Sequence, residues 1–180
     1  MLKRMIHRSI GKLEREFGYD AAYLHEVTDV SLGAALRFLC FGVMDRQHAG
    51  VPPAAMAAAR IAATRSEDCG PCAQLTIDMA RAAGVPDATL QAIVARNFER
   101  LPPDAALALR FAEACLKREP ADSLRDEVRR RFGPEGLVTL AFTISGARVY
   151  PSLKRVLGHA QACERLTVGG ESVEGREVVW

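Results

Sequence analysis

Strand-like alternation of apolar and polar residues is nearly absent from this 180-residue chain, which argues against an architecture built mainly on sheets. Also lacking is an apolar run long enough to cross a bilayer, which takes about 20 residues; the strongest candidate, Leu137 to Ala147, falls short. The first residues, Met1-Leu2-Lys3-Arg4-Met5-Ile6-His7-Arg8, carry charges where a secretory signal needs a continuous apolar stretch. Nor is there an excess of one charge: 24 Lys and Arg against 22 Asp and Glu leave a formal +2. The densest basic patch, Arg125 with Arg129-Arg130-Arg131, is interrupted by Asp126 and Glu127 and reads as a solvated helix face, not a nucleic-acid surface. No internal repeat, low-complexity tract or domain linker is visible. These absences lead to the expectation of a cytoplasmic protein that binds neither membrane nor nucleic acid, in a compartment where thiols stay reduced.

What is present is helical periodicity. With 49% hydrophobic and 26% charged residues the composition is that of an ordinary globular chain. Leu2, Met5, Ile6, Ile10, Leu13 and Phe17 form one apolar stripe ended by Gly18. Further helices are expected from about Asp20, over Leu32 to Val43, and from Pro52-Pro53 through Met56 and Ile61 toward Thr64. Another runs from Ala73 to Ala83 and is stopped by Gly84, and the next is capped by Asp87. Pro102-Pro103-Asp104 introduces a helix over Ala105 to Lys117, and Asp122 or Ser123 caps a short basic one to Phe132. Gly133-Pro134 starts the last helix, whose uniformly apolar first half predicts burial on all sides and which Pro151 should kink. The expected fold class is all-α, a single domain of about seven to eight helices over residues 1–166. Residues 167–180 are expected to be a glycine-broken tail in which Val173, Val178 and Val179 favour extended chain, either a marginal hairpin or a mobile segment.

Cys69-Gly70-Pro71-Cys72 is the feature with the most chemistry. Two thiols at this spacing can close a reversible disulfide, and the helix-like run behind them puts the pair at a helix start. Unpaired N–H groups and the positive end of the helix dipole there favour an anion and lower a thiol pKa. Pro71 fits the first helical position. Cys69, just before the first turn, is expected to be the more accessible sulfur and the nucleophile; Cys72, inside the turn, the more shielded. Glu67 and Asp68 oppose the dipole by raising a neighbouring thiol pKa.

The order of pieces from about Pro52 to His159 resembles the carboxymuconolactone decarboxylase family, in its alkylhydroperoxidase AhpD-like branch. The pieces are a helix, Cys69 and Cys72 at a helix start, Ala80 to Gly84, and Ala106-Leu107-Ala108-Leu109-Arg110-Phe111-Ala112-Glu113-Ala114. The resemblance implies an all-helical fold assembled as a trimer or hexamer, and a thiol peroxidase or disulfide-exchange activity that needs no cofactor and no metal. It also implies a hydroperoxide or disulfide substrate and an external dithiol reductant. The family's peroxidase members carry a glutamate twelve residues before the first cysteine and a histidine four residues after the second. This chain has Ala57 and Thr76 at those positions. Glu67, Thr76 and His48 are the candidates to stand in for the missing relay, with His159 behind them, although threonine is no base near neutral pH.

Other readings remain beside this one. Cys-Gly-Pro-Cys is also the thioredoxin tetrapeptide, but no strand precedes it here. Zinc would need two more ligands, and Cys40, Cys115, Cys163, His48 and His159 contain no second close pair. A decarboxylase acting on a lactone would not use the thiols, and a non-catalytic redox sensor or scaffold would not need the relay. Cys40 and Cys115 are expected to be small buried hydrophobes and Cys163 a spare thiol. His7 and His25 read as surface or helix-face residues. Arg148 and Tyr150 could reach the site, and Phe38, Phe41, Phe98 and Phe111 are either a substrate pocket or, more simply, core.

Overall fold

A computed structural model describes residues 1–44, 49–160 and 166–173. Among them are eight α-helices: α1 (Leu2–Phe17), α2 (Ala22–Val30), α3 (Leu32–Met44), α4 (Pro53–Arg65), α5 (Gly70–Ala82), α6 (Asp87–Val94), α7 (Pro103–Lys117) and α8 (Asp122–Val156). A 3-10 turn, Phe98–Arg100, precedes α7, and an antiparallel hairpin, β1 (Leu166–Val168) and β2 (Glu171–Val173), follows α8. The all-α class and the number of helices agree with expectation. So does the boundary at Gly133, whose φ of 76° and ψ of 174° break α8 into a short basic part and a long one. Backbone angles stay helical through Pro151, which is buried in the long part.

Helix α4 is the centre of the molecule. Pro53 sits in its first turn, where the missing N–H costs nothing. Alanines at 55, 57, 58, 59, 62 and 63 let α5, α7 and α8 approach it closely. Every one of these alanines is buried, together with Met56 and Ile61, so α4 is enclosed on all faces as the core helix of a single cluster. The expected all-round burial of α8 is not found in the single chain. Leu140, Thr143, Ile144 and Ala147 face the core, whereas Val138 and Phe142 are exposed. The difference is one of partners: α4 is packed from three directions, while α8 has the domain on one side only.

The helix starts differ in detail from the expected caps. Asp87 is the first residue of α6, Pro86 holds the cap position, and the Asp87 carboxylate accepts from Arg81 Nε at 2.8 Å and Nη2 at 3.1 Å. Asp122 likewise opens α8 behind Ala121 without a side-chain cap bond. The hairpin is not a detached tail. Leu166 and Val168 are buried in the main cluster, and the Gln74 amide bonds Thr167 as a neighbouring strand would: its Nε2 donates to Thr167 O at 3.0 Å and its Oε1 accepts from Thr167 N at 2.9 Å. Expectations for Val178 and Val179 lie outside the described residues.

Helices α1, α2 and α3 build a second, smaller hydrophobic cluster that contains Ile6, Ile10, Tyr19, Tyr23, Ala35 and both Cys69 and Cys72. A chain of side chains ties α1 to α2 on its outer side. His7 Nδ1 and His25 Nδ1 are 2.6 Å apart, with the ring planes within 10° and the centroids 4.9 Å apart. The short contact plus two imidazole radii accounts for the whole centroid separation, so the rings meet edge to edge in one plane, not face to face. His7 Nε2 donates to Asp29 Oδ1 at 3.0 Å and His25 Nε2 to Glu14 Oε2 at 3.3 Å. The 2.6 Å Nδ1–Nδ1 contact is that of an N–H···N hydrogen bond between the rings, in which either ring can be the donor. Substituting His7→Gln is expected to remove a far-downfield proton resonance of this N–H···N bond. The same change should weaken the α1–α2 hairpin by about 1–2 kcal/mol, read as faster amide exchange over these two helices.

Candidate functional site

The dithiol sits where the small cluster meets the core. Asp68 turns the chain with φ 49°, Cys69 is the N-cap of α5 in extended conformation, and Gly70, Pro71 and Cys72 make the first turn. Pro71 is therefore one position further in than expected, again where its missing N–H is harmless. Both cysteines are free thiols. The expected difference in accessibility is not found: Cys69 is 0% exposed and Cys72 4%. The sequence pattern of α5 could not show that α1 to α3 lie over this turn.

Burial here comes with a defined polarity. Cys69 is drawn down to a pKa of about 6, first because the Cys72 thiol donates to it and against the cost of burial; the Cys72 backbone N–H and the charges of Lys154 and Arg155 add to this. Cys72 moves the opposite way, raised by its bond to the Cys69 thiolate and by burial, with a lowering contribution from Tyr19. The Tyr19 hydroxyl is 3.5 Å from Cys72 Sγ. Above the tyrosines lies Lys154, only 1% exposed. Its ammonium is 4.7 Å from the Tyr19 ring centre and 5.7 Å from that of Tyr23, and it donates to Asp20 O at 3.0 Å. Burial holds both tyrosine hydroxyls well above the usual phenol range, so both stay protonated.

The other sequence candidates are placed as follows. Thr76 is buried one turn after Cys72, but its hydroxyl donates to Cys72 O at 2.9 Å and lies 3.2 Å from Thr64 Oγ1, so it serves the α4–α5 seam. Glu67 faces α8: its Oε1 accepts from Arg148 Nε at 2.5 Å and its Oε2 from Ser152 Oγ at 3.0 Å, while Arg155 donates to the Glu67 carbonyl. Ala57 is a buried core alanine. His48 and Cys163 lie outside the described residues. His159 is not turned to the dithiol; its Nε2 is 2.6 Å from Glu26 Oε2 and ties the end of α8 to α2.

Cys40 corrects an expectation: it is exposed, with its thiol donating to Leu36 O at 3.5 Å, because α3 turns that face away from the small cluster. Cys115 is partly buried and its thiol is raised by burial. The four phenylalanines do not form one pocket. Phe111 is core, Phe98 lies under Arg96 and Arg110, and Phe38 meets Phe41 and Tyr150. Among the described residues no three His, Cys, Asp or Glu side chains converge as metal ligands, and no helix is long and apolar enough to cross a membrane. No family model, curated protein or solved structure matches the chain.

Tyr19, Tyr23, Lys154 and Arg155 were not singled out by sequence reasoning. A usable signal existed for three of them: tyrosines four apart after Gly18, and a lysine between Leu153 and Leu157, on the side of α8 that turns inward. Beside the dithiol, Glu67, Arg148, Val149, Ser152, Leu153 and Val156 line an open groove of about 400 Å³. Leu153 belongs both to this lining and to the packing around the cysteines.

The alkylation rate of Cys69 by iodoacetamide should rise with pH through about 6 and level off well below the ordinary thiol value of 9.0, since the lowered pKa makes the thiolate dominant above it. In Cys72→Ala the largest stabilising donor is gone, and the inflection should move up toward the ordinary value. A rate that follows pH up to 9.0 in the parent chain counts against the assigned thiolate.

Proposed function

We propose that this chain is a dithiol–disulfide oxidoreductase of the alkylhydroperoxidase-like type, with Cys69 as nucleophile and Cys72 as resolving thiol. The observation that carries the reading is the geometry: two free cysteines at the N-terminus of α5, enclosed together, with the Tyr19 hydroxyl at Cys72 and the buried Lys154 ammonium over the Tyr19 ring. In the peroxidase form of this chemistry the Cys69 thiolate attacks the outer oxygen of a hydroperoxide. An S–O bond forms, the O–O bond breaks, and the alcohol leaves after taking a proton. The Cys72 sulfur then bonds to Cys69, water departs, and an external dithiol returns the disulfide to two thiols. The same pair exchanges with a disulfide substrate without peroxide. The motif order that resembles the AhpD-like branch supports this reading, and Ala57 and Thr76 limit it: no acid or base stands at either relay position, so exchange is favoured over fast peroxide turnover.

The enclosure of both sulfurs by the N-terminal helices favours a second reading, a redox sensor whose dithiol reports oxidation by a change in that layer. A steady assay separates the two. The enzyme should consume an alkyl hydroperoxide continuously with dithiothreitol, and Cys69→Ser or Cys72→Ser should lower the rate at least about a hundredfold. One oxidation equivalent without turnover supports the sensor. Free-thiol counts that do not change after peroxide would sink both, and lactone turnover surviving both substitutions would favour a decarboxylase.

The proposed assembly is a homo-oligomer formed through the exposed apolar face of α8. Phe41, Val138, Ala141, Phe142, Ser145, Gly146 and Val149 line a groove there of about 320 Å³. Light scattering should give a mass several times the 19.6 kDa of one chain, and Phe142→Glu should reduce it. A parent mass of one chain overturns the assembly.

A further inference from the structure

Tyr19 lies between α1 and α2, just after Gly18 with φ 61°, and is 6% exposed. Its ring is under the Lys154 ammonium at 4.7 Å, the next residue's carbonyl receives that ammonium at 3.0 Å, and its hydroxyl is 3.5 Å from Cys72 Sγ. The ring is thus fixed from the side of α8 while the hydroxyl touches a sulfur on α5. A protonated phenol in this place is a donor. Burial keeps the phenol protonated, so its O–H is available to donate to Cys72 Sγ whenever that sulfur carries charge.

None of the sequence candidates within the described residues can do the same for Cys72. Thr76 has turned its hydroxyl to a backbone carbonyl, and Glu67 is held by Arg148 and Ser152. Yet dithiol chemistry takes Cys72 through a charged state twice. In closing, Cys69–S–OH and Cys72–SH become Cys69–S–S–Cys72 and water: the Cys72 sulfur bonds to Cys69 and gives up its proton, the S–O bond breaks, and the hydroxide takes that proton. In opening, an external thiolate bonds to Cys69, the S–S bond breaks, and its electron pair leaves on Cys72. Negative charge on the same sulfur limits both steps, and a hydrogen bond donated to it speeds both.

We propose that Tyr19 is a catalytic residue of the dithiol cycle, whose hydroxyl stabilises the Cys72 thiolate as the disulfide closes and as it opens. This rests on the reading of the cysteines as a redox pair and assigns to Tyr19 the later step, not the first attack on the oxidant. The role explains how the pair works without the acid and base that positions 57 and 76 would have supplied.

Tyr19→Phe keeps the ring under Lys154 and removes one oxygen. In a first arm, the reduced full-length chain is mixed with one equivalent of cumene hydroperoxide in the presence of dimedone. The parent should pass to disulfide with little adduct, whereas the variant should accumulate the dimedone adduct at Cys69. Closing should slow roughly ten- to a hundredfold, the range for losing a hydrogen bond to a charged group. In a second arm the disulfide is made with diamide and opened with dithiothreitol, and opening should slow by a similar factor without any peroxide step. Wild-type rates of closing and opening in Tyr19→Phe overturn the proposal. So does an equal slowing of the first oxidation and of closing together with a lower melting temperature, which is the mark of a structural role. If the parent forms its disulfide with diamide but not with the hydroperoxide, the peroxidase reading fails and the second arm still decides for or against Tyr19. If the parent forms no disulfide with either oxidant, the redox reading and the role of Tyr19 fall together.

Discussion

The buried ammonium of Lys154 is the constraint on which the site depends. A charge that is 1% exposed has to be met by the groups around it, and two other parts of the chain do so. The ring faces of Tyr19 and Tyr23 and the carbonyl of Asp20 come from the N-terminal layer, the lysine itself from the end of α8, and the Cys69 sulfur, whose pKa the Lys154 charge helps to lower, from the start of α5. Each of these groups makes sense only with the others in place. Without the cation the thiolate would face burial with less support; without the rings and the carbonyl the cation would be stranded.

The same arrangement explains why the cysteines are both polarised and covered. A helix N-terminus open to water would favour a thiolate through its dipole but would also screen it. Placed under α1 to α3, the field of the helix end and of Lys154 acts in a drier surrounding and is stronger. The cost lies in access, because any reagent for the thiols has to reach sulfurs that are 0% and 4% exposed. Leu153, shared between the open groove and the packing around the dithiol, marks the side on which the two are nearest. The N-terminal layer is joined to the remainder of the molecule through a smaller apolar cluster and a few polar contacts, among them His159 with Glu26 and Lys154 with Asp20. The alanine-lined core around α4 is a separate cluster.

Much of the fold was legible because it rests on local rules. Proline pairs placed helix starts at Pro53 and Pro103, glycine placed the ends at Gly18 and Gly84 and the break at Gly133, and period 3.6 patterning marked the faces of the helices between them. Caps were less legible: Asp87 prefers Arg81, a partner one helix away, to its own helix start. The apolar half of α8 shows the limit of patterning, since Val138 and Leu140 are equally apolar in sequence and only the position of α4 buries one and leaves the other exposed. Cys40 shows the same limit: its apolar neighbours in sequence suggest burial, and the packing of α3 leaves it exposed.

By itself the sequence determined the helix class, the breaks between helices, and the location of a dithiol at the start of one of them, because these follow from backbone chemistry and short-range spacing. Only the tertiary structure decided that both sulfurs are enclosed, that Glu67 belongs to Arg148, and that Tyr19 and Lys154 stand at the cysteines. Those contacts join residues 53 and more positions apart. No local pattern encodes such pairs; they arise when the N-terminal layer and the end of α8 close on the same turn of chain.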